Sequence, residues 1–108
     1  MPHVRFPELV EAVKAAATAK PYQSVLDGLQ HKPHLYSLRD DDKLDSLDKV
    51  EMVMASEEHI DKLYGDRNPE FRGFSIDDAI VEKSKNLGDL YKGACEKYEM
   101  EVMEFPSD

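Results

Sequence analysis

Asn86-Leu87-Gly88-Asp89-Leu90-Tyr91-Lys92-Gly93-Ala94-Cys95-Glu96-Lys97-Tyr98 is the stretch that decides the fold class. Leu87, Leu90, Tyr91, Ala94, Cys95 and Tyr98 recur at the spacing of one helical face, with charged residues between them. Asn86 suits an N-cap, and Val102 and Phe105 can extend the face until Pro106, so the spacing predicts a helix over about 86–100.

Moving back along the chain, Ser75-Ile76-Asp77-Asp78 resembles a capping box with Asp in the place of Glu. It predicts a short helix over about 75–83 with Ile76, Ala79 and Ile80 inward. Gly65-Asp66, Asn68-Pro69 and Gly73 are turn signals, so about 63–74 reads as a loop insertion. A second strong helix, about 46–62, begins at Asp45 or Ser46. Met52, Val53, Ser56 and Ile60 share one of its faces, and Leu47, Val50, Glu51, Met54 and Glu58 share another. A helix apolar on two sides offers one side to the core and the second to something else, or buries both. Phe6, Leu9, Val10, Val13 and Ala17 predict the first helix, about 6–20, with Pro7 in its first turn and Lys20-Pro21 ending it. In 21–44, Ser24-Val25-Leu26-Asp27 can start a short turn of helix with Leu29 packing back, while Gly28 and Pro33 oppose anything long. Asp40-Asp41-Asp42 reads as a solvated charge run. No segment alternates as a strand does and no internal repeat is present, so the expectation is one all-α domain over 1–108, with three main helices and one short one.

The 108 residues are 41% hydrophobic and 34% charged, a globular balance. Fourteen basic residues face twenty-three acidic ones, for a formal net charge of −9. That charge repels phosphate backbones and argues against nucleic-acid binding, while it favours encounter with basic patches on proteins. No apolar run approaches a membrane span, and Met1-Pro2-His3-Val4-Arg5-Phe6 does not read as a signal peptide. A lone cysteine, Cys95, cannot staple the fold; on an apolar helical face it reads as a buried structural thiol.

Residues 45–58 read Asp-Ser-Leu-Asp-Lys-Val-Glu-Met-Val-Met-Ala-Ser-Glu-Glu. This run resembles the Asp-Ser-Leu signature and following helix of acyl carrier proteins. The Ser, the Leu, the Val-Glu pair, the Val-Met-Ala run and the Glu-Glu pair keep register. Ser37-Leu38 upstream, and Ile76-Asp77-Asp78-Ala79 and Asn86-Leu87-Gly88-Asp89-Leu90 downstream, are similar to other landmarks of that family. The resemblance implies an acyl-carrier-like bundle with 4′-phosphopantetheine attached covalently to Ser46 by a phosphopantetheinyl transferase. The arm's thiol would hold acyl groups as thioesters, for fatty-acid synthesis or a related pathway. The helix bearing the serine would dock basic-surfaced acyl-handling enzymes. The alternative it implies is a structural subunit of a larger, mitochondrial assembly that docks small helical adaptor proteins, so the expected location is the mitochondrial matrix or the cytoplasm.

The residues themselves point the same way. Ser46 falls at a helix N-terminus, where free amides and the macrodipole favour an anionic phosphodiester. Asp45 can help cap that turn. Leu47, Val50 and Met54 form a stripe bordered by Asp48, Glu51, Glu57 and Glu58, a pattern suited to a basic, partly apolar groove. The plain reading of Ser46 is an ordinary N-cap. Departures from the family are Asp42, Lys43 and Leu44 before the signature, Ser56 in place of an apolar core residue, the long 61–74 segment and the tail beyond Tyr98. They point to a specialised member.

Other constellations fail on spacing. Asp40, Asp42, Asp48 and Glu51 fit four positions of a calcium loop, but Leu44 replaces a ligand and Asp45 the required glycine. His31-Lys32-Pro33-His34 reads as a polar loop, because Pro33 breaks the helix that would align the histidines. Neither a Ser-His-Asp set nor a phosphate-binding glycine loop can be assembled, so the chain reads as a non-enzyme.

Overall fold

The computed structural model describes residues 4–67 and 76–106, and these form five α-helices and one 3₁₀ turn, with no strand among them. The order is α1 (Phe6–Ala19), α2 (Gln23–Gly28), the 3₁₀ turn Pro33–Leu35, α3 (Ser46–Arg67), α4 (Asp78–Lys83) and α5 (Leu87–Lys97). No described helix is long and apolar enough to cross a membrane.

α1 starts where Arg5 is extended and Glu8 reaches back, its Oε1 accepting from Arg5 N at 3.1 Å and Nε at 3.0 Å. Phe6, Leu9, Ala12, Val13, Ala16 and Ala17 form its buried face. The main packing partner is α3, which at 22 residues is about 33 Å long. Met52, Ser56 and Ile60 of α3 are buried against the core, and each fully enclosed apolar side chain contributes about 1.5–3 kcal/mol. Ser56 is tolerated there because its Oγ donates to Met52 O within the helix at 2.8 Å.

Several expectations are corrected. The second helix does not stop near 62; it runs through part of the expected loop to Arg67. Tyr64 is buried, and its hydroxyl donates to the buried Glu8 carboxylate of α1. A helical glycine costs only about 1 kcal/mol, so the turn signal at Gly65 loses to that packing. The rest of the expected loop, 68–74, lies outside the described residues, as does Ser75. The cap of α4 is Asp77, whose Oδ1 accepts from Ile80 N at 3.1 Å, and the helix begins at Asp78. Ile76 is buried and Ile80 half-buried, but Ala79 is exposed. His34, read as part of a polar loop, is buried with its ring edge-on to Phe105 at 5.8 Å.

The last helix ends at Lys97 rather than near 100. Glu99 takes a left-handed backbone (φ 53°), Met100 N donates to Cys95 O at 2.8 Å, and Glu99 N donates to Glu96 O at 3.2 Å. These are the two bonds of a Schellman stop built without the usual glycine, which is why no sequence signal marked it. The chain then doubles back. Tyr91 of α5 pins it: the Tyr91 hydroxyl donates to Val4 O at 2.7 Å and accepts from Met103 N at 3.0 Å. Phe6 N donates to Met103 O at 3.1 Å. Phe105 packs edge-on against Phe6 and stacks on Tyr91, with Lys92 Nζ 4.4 Å above its ring. Val102 is exposed, so the tail adds Phe105 to the core by turning back and not by prolonging the helix. Tyr98 is half-buried, and Cys95 is buried as expected, its thiol pushed up by that burial.

Gly88 sits under this tail. A Cβ there would lie 2.8 Å from the Phe105 ring and 3.0 Å from the His34 carbonyl oxygen, which belongs to the backbone and cannot swing aside. Ala is the better helix former by about 1 kcal/mol, but overpacking costs about 1–3 kcal/mol, so Gly88→Ala is expected to destabilise the protein on balance. Urea denaturation followed by circular dichroism checks this; a midpoint that rises would refute the tight packing of the tail.

Candidate functional site

The N-terminus of α3 is built by two aspartates. Asp45 Oδ1 accepts from Asp48 N at 2.8 Å, and Asp48 Oδ2 accepts from Asp45 N at 3.2 Å. This is a reciprocal capping box with Asp at both ends. Asp45 is therefore the N-cap, and Ser46 is the first helical residue. The ordinary-cap reading of Ser46 is overturned: its side chain is exposed, and its hydroxyl makes no hydrogen bond among the described residues. The amides of Ser46 and Leu47 are among the helix's unpaired N–H groups and remain free to face an anion.

Beyond Ser46 the helix shows two faces. Leu47, Val50 and Met54 are 65%, 48% and 56% exposed, whereas Met52 and Ile60 on the other side are at most 1% exposed. Val53, read as a core residue, is half-buried and borders both faces.

The acidic border is less free than its sequence suggests. Asp48 also accepts from Tyr22 OH at 2.9 Å; this bond pushes the Tyr22 phenol up to about 12 and holds the Asp48 carboxyl below its ordinary value. Glu51 is paired with Lys20 at 3.0 Å. Glu57 Oε2 accepts from Ile76 N at 2.9 Å, tying the approach to α4 onto α3. Glu58 is exposed. A cation joins the border: Lys49, one turn after Ser46, donates to Arg39 O at 2.6 Å.

Asp41 is the residue that sequence reasoning missed. It is no solvated member of a charge run. Its Oδ2 accepts from Ser24 Oγ at 2.8 Å and Tyr36 OH at 2.7 Å, and its Oδ1 accepts from Lys43 N at 3.0 Å. These bonds hold the segment that delivers Ser46 to the start of α3. Burial pushes the Asp41 carboxyl up, but the bonds from Tyr36, Ser24 and Lys43, with the Lys49 charge, outweigh it and leave the carboxyl below its ordinary 3.8. Burial, then the bond to Asp41, pushes the Tyr36 phenol up. Three aspartates in a row look alike in sequence; only the tertiary position of Tyr36 and Ser24 distinguishes the middle one.

Among the described residues, two spaces adjoin α3. An open groove of about 190 Å³ runs between α3 and α4, lined by Val50, Val53, Met54 and Val81 among others. A smaller, partly open apolar cleft of about 20 Å³ lies among Leu9, Val13, Met52, Ser56, Leu87 and Leu90. A larger groove of about 560 Å³ between α4 and α5 shares no residue with either and has mixed charge, with Lys83, Lys92 and Lys97 beside Asp89 and Glu96. No cluster of metal-ligating side chains occurs among the described residues.

No family model, curated protein or solved structure matches the chain.

Because the folded value of Asp41 is depressed, its stabilising contribution is present above the ordinary carboxylate value and is lost as pH falls below 3.8 through the folded value. Asp41→Asn is expected to cost about 1 kcal/mol at neutral pH, allowing for partial solvent screening. The stability curves of wild type and variant should then converge in acid. Urea midpoints at pH 7 and pH 3 test this; a gap that stays constant removes Asp41 from the role of charged anchor.

Proposed function

We propose that this chain is an acyl carrier protein that holds acyl groups as thioesters on a 4′-phosphopantetheine arm attached to Ser46. One observation carries the reading. In the register of residues 45–58, the serine is exposed, helical and released from capping by its neighbours Asp45 and Asp48. A hydroxyl spent on capping would be a poor acceptor of a phosphodiester; this one is unused and lies beside unpaired amides suited to the phosphate. The protein's part is position and surface, while the arm's thiol supplies the reactive chemistry.

The stripe of Leu47, Val50 and Met54 is the docking face under this reading, and a phosphopantetheinyl transferase is its first partner. The net charge of −9 favours a basic partner surface.

Incubation of the apo protein with coenzyme A and a broad-range transferase should add one phosphopantetheine to wild type, read by intact mass, and none to Ser46→Ala. Because Ser46 caps nothing, Ser46→Ala should change stability by less than about 0.5 kcal/mol. Equal modification of both proteins, or of neither, would refute the attachment site.

Docking separates into two effects. Val50→Asp should leave the thermal midpoint nearly unchanged, because Val50 is half exposed, yet abolish loading by burying an unpaired charge against the transferase. Glu58→Lys should slow loading chiefly at low salt. Initial loading rates at two ionic strengths, with a melting curve for each variant, decide between this face and another. A Val50→Asp protein that melts early places Val50 in the core instead.

A further inference from the structure

Lys49 stands three residues beyond Ser46, so the two share a helical face with Cβ atoms about 5–6 Å apart. Helical side chains lean toward the N-terminus, which turns the Lys49 stem back over the first turn, where Ser46 lies. Lys49 is half-buried, and its Nζ is fixed by donating to Arg39 O at 2.6 Å. That partner is a neutral carbonyl. The Arg39 guanidinium is turned elsewhere, to Asp40 at 3.5 Å and to Glu82 O at 3.3 Å. Asp41 feels the Lys49 charge, but its oxygens are taken by Ser24, Tyr36 and the Lys43 amide. Lys49 thus has no ion pair among the described residues: its ammonium is held in place, partly out of water, with no counter-charge in contact. Two neighbouring cations differ. Lys20 is paired with Glu51 at 3.0 Å, and the exposed Lys43 ammonium is fixed by no contact among the described residues.

We propose that Lys49 is the positioning residue for a phosphate group borne by Ser46, the full positive charge that offsets Asp45 and Asp48 at that turn. Those two carboxylates cap the helix on either side of Ser46, so a phosphate there is a third negative charge within one helical turn. The free amides beside it supply only about half an elementary charge, spread over the whole helix end. Lys49 supplies a whole one. An ammonium has three donors, so Lys49 can keep its bond to Arg39 O and still donate to a phosphate oxygen. A lysine that only clamped the 39–41 segment would act through its shape and its one bond. A lysine that holds a phosphate acts through its charge, and the two roles part when the charge is removed and the stem is kept. The source of the phosphate, a phosphopantetheine arm, rests on the carrier reading; the cation beside the serine does not.

Ser46→phosphoserine, introduced during synthesis of the full chain, supplies the phosphate without any transferase. Its second ionisation, ordinarily near about 6, is followed by phosphorus NMR. A cation in contact favours the dianion and lowers that value, while Asp41, Asp45, Asp48, Arg39 and Lys43 act alike in every variant. Adding Lys49→Met, which keeps the stem and loses the charge, should raise the value by about 0.5 of a pH unit. Lys49→Arg keeps the charge and should stay near the parent. Lys62→Met removes an equal charge about 24 Å along the same helix, beyond the Debye length, and should change nothing. Melting curves confirm that each variant is folded, and Lys49→Gln replaces Lys49→Met if the latter is not. A phosphate that titrates identically with and without the Lys49 charge, or one that responds equally to Lys62→Met, would overturn the contact. Mass measurement of Ser46 loading by a transferase runs beside this. Failure of loading with the Lys49 effect intact removes the carrier reading and leaves the phosphate contact, and loading without that effect does the reverse.

Discussion

The start of α3 is the constraint on which the site and its surroundings depend. Successive helical residues turn by about 100°, so the residue chosen as the cap sets the direction of every side chain that follows. Had Ser46 been the cap, its hydroxyl would be bonded to a backbone amide one turn on. The reciprocal bonds of Asp45 and Asp48 prevent this. Longer-range contacts back that local choice. Tyr22 reaches Asp48 from the start of α2, and Asp41 gathers Ser24 and Tyr36 into the segment just before the cap. The position of one serine is therefore set by polar contacts that span more than twenty residues of chain.

A helix with two apolar faces poses an energetic problem for a chain of this size. Leaving Leu47, Val50 and Met54 about half in water forgoes roughly half of the 1.5–3 kcal/mol that full burial of each contributes, set against a whole-domain stability of about 5–15 kcal/mol. The fold recovers burial elsewhere. Tyr64 extends the α1–α3 contact beyond the expected end of the helix, and the tail brings Phe105 back over Phe6 and Tyr91. Both additions lie at the chain's extremities or at the far end of α3, away from the exposed stripe, so the compensation leaves the stripe uncovered.

The apolar periodicities were legible in the sequence. Leu87, Leu90, Tyr91, Ala94 and Cys95 are buried where their spacing put them, and Met52, Ser56 and Ile60 separate from Leu47, Val50 and Met54 as the two faces required. What the sequence hid is polar and long-range. Glu8 is a surface acid by type, yet it is buried because Tyr64, 56 residues away, donates to it. Asp41 is indistinguishable from Asp40 and Asp42 until Tyr36 and Ser24 fold over it. His34 gives no sign of burial without Phe105. The end of α5 is hidden for a related reason: a left-handed Glu99 stands where glycine usually signals a helix stop. Periodicity reports which side chains leave water, and says nothing of which polar groups follow them in.

Charge at the site divides in a way that composition conceals. Asp45 and Asp48 add to the field, but both oxygens of Asp48 and one of Asp45 are already engaged by backbone amides and Tyr22. Glu51 is largely neutralised by Lys20, and Glu57 is committed to the Ile76 amide. The acid on this face with neither restriction is Glu58. Under the proposed docking, attraction of a basic partner would come mainly from the net charge of −9 acting over a Debye length of about 8–10 Å, and not from a row of specific ion pairs. A diffuse field brings a partner to the surface without fixing its register. The register must come from shape, and the protrusions offered on this helix are Leu47, Val50 and Met54. In the proposed docking, steering and recognition thus fall on different groups, so substitutions of charge and of the stripe would act on different steps of the same encounter.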